Sequence, residues 1–473
     1  MSIDALRVYI VLNSRLRYYI GWILIAYGFA QIPVAIVSIV YSEPYTLHYL
    51  LSTVVLVVVG YFVKGGEKPV ELSTTESLYV AILSFLIPGL VNTVVMTIAG
   101  FDFWDSLFES ISGITTTGLS MYSVDELPYT IHFVRAWLQW IGGVGIVVMT
   151  LVFLLKPGTL AYNLLTTHIR KEAYMPSVVY VARAVLAIYG LLTFLCGLLY
   201  YLSGMSVFDS IVHALTTIST GGFSTKSSFL EYSNTAVWVS IVFMFLSAQS
   251  FPRYYMMFRL RNPKYIWMGP QIKSFLVLLI VSTALFHGLT LLYTSISLQD
   301  SIFTVVSALT TTGYSTVSMD SLPDASKYIL VVLMITGAAL GSTGGGFKQY
   351  RLIVLFKELW RRIVKAVSPP GRVVNIRVGG QVVSDEEVFS CIAIVHLYII
   401  ALVLSTIAFL AAGYSFMDTL FSVASAIGTV GLAPSIVYHT LPWWSKLLLS
   451  IDMFIGRLEI LPVIAVTTHA LRK

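Results

Sequence analysis

Asp105 and Gly118, Asp209 and Gly222, Asp300 and Gly313, and Asp418 and Gly431 are four pairs with one spacing: each glycine follows its aspartate by 13 residues. A Ser or Thr follows every aspartate (Ser106, Ser210, Ser301, Thr419), and the glycine loops read TTTGLS, STGGFS, TTTGYS and GTVGLA. Self-similarity at fixed offsets marks one structural unit used four times. The stretch between aspartate and glycine is apolar but short. Roughly 10 helical residues cover about 15 Å, half of a ~30 Å hydrocarbon core, so each stretch has to enter and return on one side. Backbone that stops being helical at such depth survives only where protein or a water-filled cavity surrounds it.

The rest of the chain supplies those surroundings. Of 473 residues, 57% are hydrophobic and only 11% charged, and mean hydropathy is +0.84. That leaves too little polar surface for a soluble protein of this length and predicts an all-α integral membrane fold. Ten spanning helices are expected. Two come first, near 18–40 and 46–63. Eight follow as pairs: 77–100 with 129–155, 180–203 with 234–259, 271–295 with 327–362, and 388–412 with 441–469. Each pair brackets one motif. The implied division is 1–70 for the two N-terminal helices, then 71–170, 171–265 and 266–367 for three repeats, and 368–473 for a linker and the fourth. The net charge of +6 sits beside apolar spans, which argues against nucleic acid as a partner. Cys196 and Cys391 lie inside spans and read as packing residues.

Orientation follows from the basic loops. Arg7, Arg15 and Arg17 precede the first span, and no small-residue cleavage site stands out, so that span is expected to act as its own insertion signal. Lys64, Lys68, Lys156, Arg170, Lys171, Arg259, Arg261, Lys264, Lys273, Arg361, Arg362, Lys365, Arg372, Arg377, Arg472 and Lys473 then share one side, the cytoplasmic one, with both termini. The glycine loops face outward. In the longest polar connection, RVVNIRV and QVVS flank Gly379-Gly380 as a small hairpin, and Ser384-Asp-Glu-Glu387 opens the next helix as a capping box.

The chemistry of the repeat points to a dehydrated cation. Thr/Gly loops offer backbone carbonyls in place of water, and glycine allows the angles that aim them. The aspartates suit helix N-caps, with ion coordination as the other reading. The short helix then ends near mid-membrane, where its partial negative charge favours a cation. No carboxylate stands out at mid-membrane as a coupling site. The histidines show no metal spacing, and nothing resembles a nucleophile with its base. Gly142-Gly-Val-Gly145 has no dinucleotide context and reads as helix packing.

Two further motifs, GSTGGGFKQYR at 341–351 and GRLEI at 456–460, join the four loops in a combination that resembles the Trk/Ktr/HKT superfamily of potassium transporters, and most of all the TrkH-type pore-forming subunit. The resemblance covers essentially the whole chain. It implies four membrane–pore–membrane units around a pseudo-fourfold pore, two extra N-terminal helices, and a homodimer with one pore per protomer. It implies a selectivity filter of Thr116, Thr117, Gly118, Thr220, Gly221, Gly222, Thr311, Thr312, Gly313, Thr429, Val430 and Gly431, with potassium as the permeant ion. No other cofactor is expected. In plant-type relatives a serine at one filter glycine accompanies sodium preference; all four positions here are glycine. The fourth loop departs from the others at Val430 and Ala433. The glycine run 336–346, with Gly341, Gly344, Gly345 and Gly346, resembles an intramembrane loop that obstructs the pore, with close helix packing as the alternative. Arg457 resembles a charged barrier below the filter, with a structural ion pair as the alternative. A cytosolic TrkA-like nucleotide-binding partner is implied as well. The expected function is gated, channel-like potassium uptake across the cell membrane. Symport with sodium or protons is the rival mechanism, and a polytopic membrane enzyme the rival class.

Overall fold

The computed structural model describes residues 14–66, 72, 74–154, 178–267, 269–369, 372–437 and 440–460. Arg7, Lys68, Lys156, Arg170, Lys171, Arg472 and Lys473 lie outside them, as does the expected span beyond residue 460. In chain order the helices are α1 Ser14–Ala30, α2 Ile32–Val40, α3 Thr46–Lys64, α4 Thr74–Ile98, α5 Phe103–Ile114, α6 Tyr129–Leu154, α7 Val178–Leu202, α8 Val207–Ile218, α9 Asn234–Ser247, α10 Phe251–Leu260, α11 Lys264–Trp267, α12 Pro270–Leu291, α13 Leu298–Thr310, α14 Asp324–Thr336, α15 Gln349–Ala366, α16 Asp385–Ala411, α17 Phe416–Ile427 and α18 Trp443–Arg457. A two-stranded hairpin, β1 Arg377–Val378 and β2 Gln381–Val382, turns at Gly379-Gly380, where both φ angles are positive. Ser384 caps α16 by accepting the Glu387 N–H at 3.2 Å. The hairpin agrees with the pattern read from the residues, while of the expected capping box the structure shows the Ser384 half, the Glu387 carboxylate accepting the Tyr350 hydroxyl at 2.7 Å.

Among the described residues, seven helices are long and apolar enough to cross a membrane, or eight if α9 and α10 count as one span. The chain is thus a multi-pass membrane protein. The first expected span stays one crossing, Leu16–Val40, with a single turn residue at Gln31 between α1 and α2. The second helix of repeat two bends by 86° between α9 and α10. Pro252 lacks the N–H a continuous helix needs, and Ser250, two residues before it, takes extended backbone with φ −66° and ψ 115°. The groups freed at this break are used: Phe251 N donates to Gly341 O at 2.9 Å, and Ala339 N to Ala248 O at 3.1 Å. The interruption expected in the second helix of repeat three separates α14 from α15 and contains the glycine run.

The short helices α5, α8, α13 and α17 form the centre. Each packs on the long helix before it (α4, α7, α12, α16). Each also touches the helix that closes the preceding motif: α6 packs on α8, α9 on α13, α14 on α17, and α18 on α5. That order returns to its start, so the four short helices close a ring. Burial follows it, with Phe108, Phe303 and Phe421 at 0% exposure inside, while Leu47, Phe62, Phe194 and Ile280 face outward. The outward apolar side chains have lipid as their natural solvent.

The aspartates are not the N-caps that the sequence suggested. Asp102, Ser206, Ser297 and Ser415 hold the cap positions, and Asp105, Asp209, Asp300 and Asp418 stand three residues further on. The Ser206 hydroxyl accepts the Asp209 N–H at 3.0 Å and donates to its carboxylate at 2.7 Å. Ser297 does the same to Asp300, and the Ser415 hydroxyl donates to Asp418 at 2.7 Å. A short hydroxyl reaches the third N–H better, and the acid behind it faces the positive helix end. Two of the acids also tie repeats together: Lys327 of α14 pairs with Asp418 at 2.8 Å, and Lys446 of α18 pairs with Asp105.

Candidate filter and intramembrane gate

All four short helices end in one way. Thr116, Thr220, Thr311 and Thr429 take left-handed backbone, with φ of 55°, 53°, 58° and 48°. The residue after each donates five positions back, Thr117 to Ser112, Gly221 to Thr216, Thr312 to Ser307 and Val430 to Ser425, at 2.8–2.9 Å. This is the Schellman arrangement, which usually places glycine where threonine stands here. A β-branched residue with positive φ costs about 1–3 kcal/mol and persists only where its surroundings enforce it. Threonine brings a hydroxyl in exchange. Among the described residues the buried Oγ1 atoms of Thr116 and Thr429 have no hydrogen-bond partner. Among the described residues no cluster of three His, Cys, Asp or Glu side chains is placed to hold a metal.

Two residues beyond each threonine, Gly118, Gly222, Gly313 and Gly431 have φ of 88°, 77°, 88° and 102°. A methyl group on Gly118 would collide with the Gly221 carbonyl oxygen, on Gly222 with that of Thr312, on Gly313 with that of Val430, and on Gly431 with that of Thr117. Each glycine therefore lies against the next loop's carbonyl, and the series closes on itself. Gly118, Gly222, Gly313 and Gly431 together line a vestibule of about 420 Å³. Val430 does not disturb the pattern, since its backbone repeats that of the other loops.

Sequence reasoning overlooked the residues that hold these loops. A hydroxyl stands six positions before every glycine: Ser112, Thr216, Ser307 and Ser425. Ser112 accepts the Gly118 N–H at 3.1 Å and Ser425 the Gly431 N–H at 3.0 Å, while Ser307 donates to Tyr314 O at 2.7 Å. The fixed offset was the available signal. Glu109 and Arg135 form a buried ion pair at 2.9 Å, at 0% and 3% side-chain exposure. Glu109 also accepts the Met121 N–H and the Ser120 hydroxyl, each at 2.7 Å, and Arg135 lies 3.9 Å over the Phe223 ring. At the vestibule rim, the Ser227 hydroxyl and the Ser228 N–H hold the Glu231 carboxyl below its ordinary value.

Beneath the loops runs the segment between α14 and α15. Gly345 N donates to Thr311 Oγ1 at 2.6 Å, Gly346 N to Gly428 O at 3.1 Å, and Thr343 Oγ1 to Ile218 O at 3.0 Å. A side chain at Gly344 would stand 2.8 Å from Thr310 O. The segment thus touches the undersides of the second, third and fourth loops. Gly341 sits apart from them, against Ser250 and Pro252.

Arg457 is 2% exposed and donates to Thr343 O at 2.6 Å and to Gly142 O at 3.2 Å, while its Nε has no partner among the described residues. Glu459 pairs with Arg351 instead, and Lys348 donates to Gly344 O. Gly142 packs on Ile114 O and Gly143 on Ser219 and the Tyr189 hydroxyl, so the GGVG run is a packing surface. One buried acid did escape notice. Asp452 of α18, 3% exposed, accepts from Ser405 at 2.9 Å, and its second oxygen has no partner among the described residues. Cys196 and Cys391 are free and buried.

The TrkH cation transport protein family matches residues 89–298 and 292–471. The chain belongs to that family. It is therefore a member of a transport family and not of an enzyme family. It is 32% identical over 449 residues to an uncharacterized cation transporter of Methanocaldococcus jannaschii, covering 94% of this chain and 93% of the relative. It is 28% identical to the Trk system potassium uptake protein TrkH of Halomonas elongata, covering 95% and 97%. The crystal structure of the potassium transporter TrkH from Vibrio parahaemolyticus superposes with a TM-score of 0.87 at 26% identity, covering 96% of this chain and 98% of that one.

Proposed function

We propose that this TrkH-family chain takes up potassium across the cell membrane by gated, channel-like conduction. Four membrane–pore–membrane repeats surround one pseudo-fourfold pore, and ten helices span the membrane. The observation that carries the reading is the closed succession of glycine against carbonyl: Gly118 on Gly221, Gly222 on Thr312, Gly313 on Val430, Gly431 on Thr117. Four loops in one backbone conformation, at the ends of four inward helices, offer a ring of oxygens to a dehydrated cation. Relatives named as potassium uptake proteins support potassium as that cation. The test is flux of potassium against sodium in proteoliposomes of the purified chain. A potassium-selective pore gives a reversal potential that follows the potassium gradient alone; equal sodium and potassium flux overturns the assignment.

Gly344, Gly345, Gly346 and Arg457 form the obstruction beneath the filter, with Gly341 at its hinge against α10. Deleting Gly344–Gly346 is expected to raise basal potassium flux severalfold in well-folded protein. Wild-type or lower flux from such protein assigns the segment to packing. Both termini face the cytoplasm. A homodimer is supported by the apolar, exposed face of α15, where Phe356, Leu359, Trp360 and Ile363 recur at helical spacing. A cytosolic TrkA-like nucleotide-binding subunit completes the system.

Asp452 favours a second reading, potassium uptake coupled to protons or sodium. A buried intramembrane acid without a cation is costly and is commonly functional. Under coupling, the reversal potential shifts with the proton or sodium gradient, and Asp452→Asn abolishes that shift while leaving potassium selectivity in place.

A further inference from the structure

We infer that Gln139 of α6 is a positioning residue for selectivity, standing in for a side chain that the second filter loop lacks; the inference rests on the filter reading above. Residues immediately before the filter glycines are Thr117, Gly221, Thr312 and Val430, so only the second loop has no side chain there. Backbone conformation does not demand this glycine, since Gly221 is absent from the glycines with positive φ. Space does. A methyl group on Gly221 would fall on the carboxamide of Gln139.

That carboxamide is fully buried and binds the loop at two points. Its Nε2 donates to the Gly221 carbonyl at 2.6 Å, and its Oε1 accepts the Phe223 N–H at 3.3 Å. The Gly221 carbonyl is the one that packs on Gly118. Gln139 therefore fixes the oxygen at the seam between the first and second repeats.

The other seams are built differently. Ten residues into the closing helix of each repeat stand Gln139, Met244, Met334 and Met453, all at 0% exposure. Each belongs to a helix that packs on the next repeat's short helix. The Met334 carbonyl, for example, lies 2.8 Å from where a side chain on Gly428 would sit. Three seams combine methionine with Thr or Val, and one combines glutamine with glycine. A methionine has no N–H to give, and a threonine needs the room that Gln139 occupies. The two positions exchange as a pair.

The test uses the full chain in liposomes, reading the potassium-to-sodium flux ratio and, separately, the thermal midpoint. Gln139→Met keeps the shape and removes the donor, and should lower the ratio about fivefold to tenfold, the size of one neutral hydrogen bond. Gly221→Thr should lower it at least as far through collision with Gln139. The double variant rebuilds the pairing of the other seams and should return to within about threefold of the parent. A parent ratio in Gln139→Met overturns the inference, as does a double variant no better than Gly221→Thr alone. If Gln139→Met is not recovered folded, Gln139→Leu, which also lacks a donor, replaces it with the same expectation and the same overturning result. Gly118→Ser is measured beside them. An unchanged ratio there removes the filter reading itself; a changed one with an unmoved Gln139 variant removes only this inference.

Discussion

Replacing Arg457 with alanine raises potassium flux at least tenfold and leaves the ranking of ions intact. The guanidinium is buried beneath the four glycine loops, and among the described residues no carboxylate pairs with it. Two like charges about 4 Å apart repel by about 4 kcal/mol at an effective dielectric near 20. A third of that, about 1.4 kcal/mol, is already tenfold in rate. Stability should survive the change. What is lost is two hydrogen bonds to carbonyls, Thr343 O and Gly142 O, costing about 1–3 kcal/mol, less than stranding a buried carboxylate would. Arg457→Lys retains charge but not the fork that reaches both carbonyls, so flux rises less. Potassium flux in proteoliposomes and the thermal midpoint are the two readouts. Misfolded, inactive Arg457→Ala protein would assign this arginine to structure alone.

Gly118→Ser collapses the potassium-to-sodium flux ratio by more than tenfold. Two effects act together. With φ at 88°, an L side chain costs roughly 1–2 kcal/mol of backbone strain. The new Cβ also collides with the Gly221 carbonyl oxygen, so the seam has to open. Because each glycine touches the next loop's carbonyl, the displacement enters two repeats. The prediction is checked by parallel potassium and sodium fluxes in the same liposomes. An unchanged ratio with normal folding would remove Gly118 from the ion path.

The chain's membrane class, the four loops and their Thr and Gly positions were legible in the residues alone. The reason is that they depend on local chemistry. Apolar runs of spanning length, glycines that tolerate positive φ and a fixed offset within each repeat are properties of neighbours along the chain. The sequence also pointed to the interruption between α14 and α15, because glycine runs disfavour helix wherever they occur.

What remained hidden involves partners distant in sequence. Asp105 reads as a cap until Asp102 is seen to hold that place and Lys446, 341 positions away, to pair with it. The bend after α9 gains meaning only from Gly341, whose carbonyl takes the freed N–H of Phe251. Arg457 gave no hint that it binds backbone rather than acid, since Thr343 and Gly142 are 114 and 315 residues away. Gln139 looked like one polar residue on a long helix. Its role exists only because Gly221, 82 residues on, leaves room for it. Local propensity and hydropathy decide which segments enter the membrane and where they turn. Which side chain completes which loop is decided by packing between repeats, where shape and unsatisfied hydrogen bonds have to be resolved together.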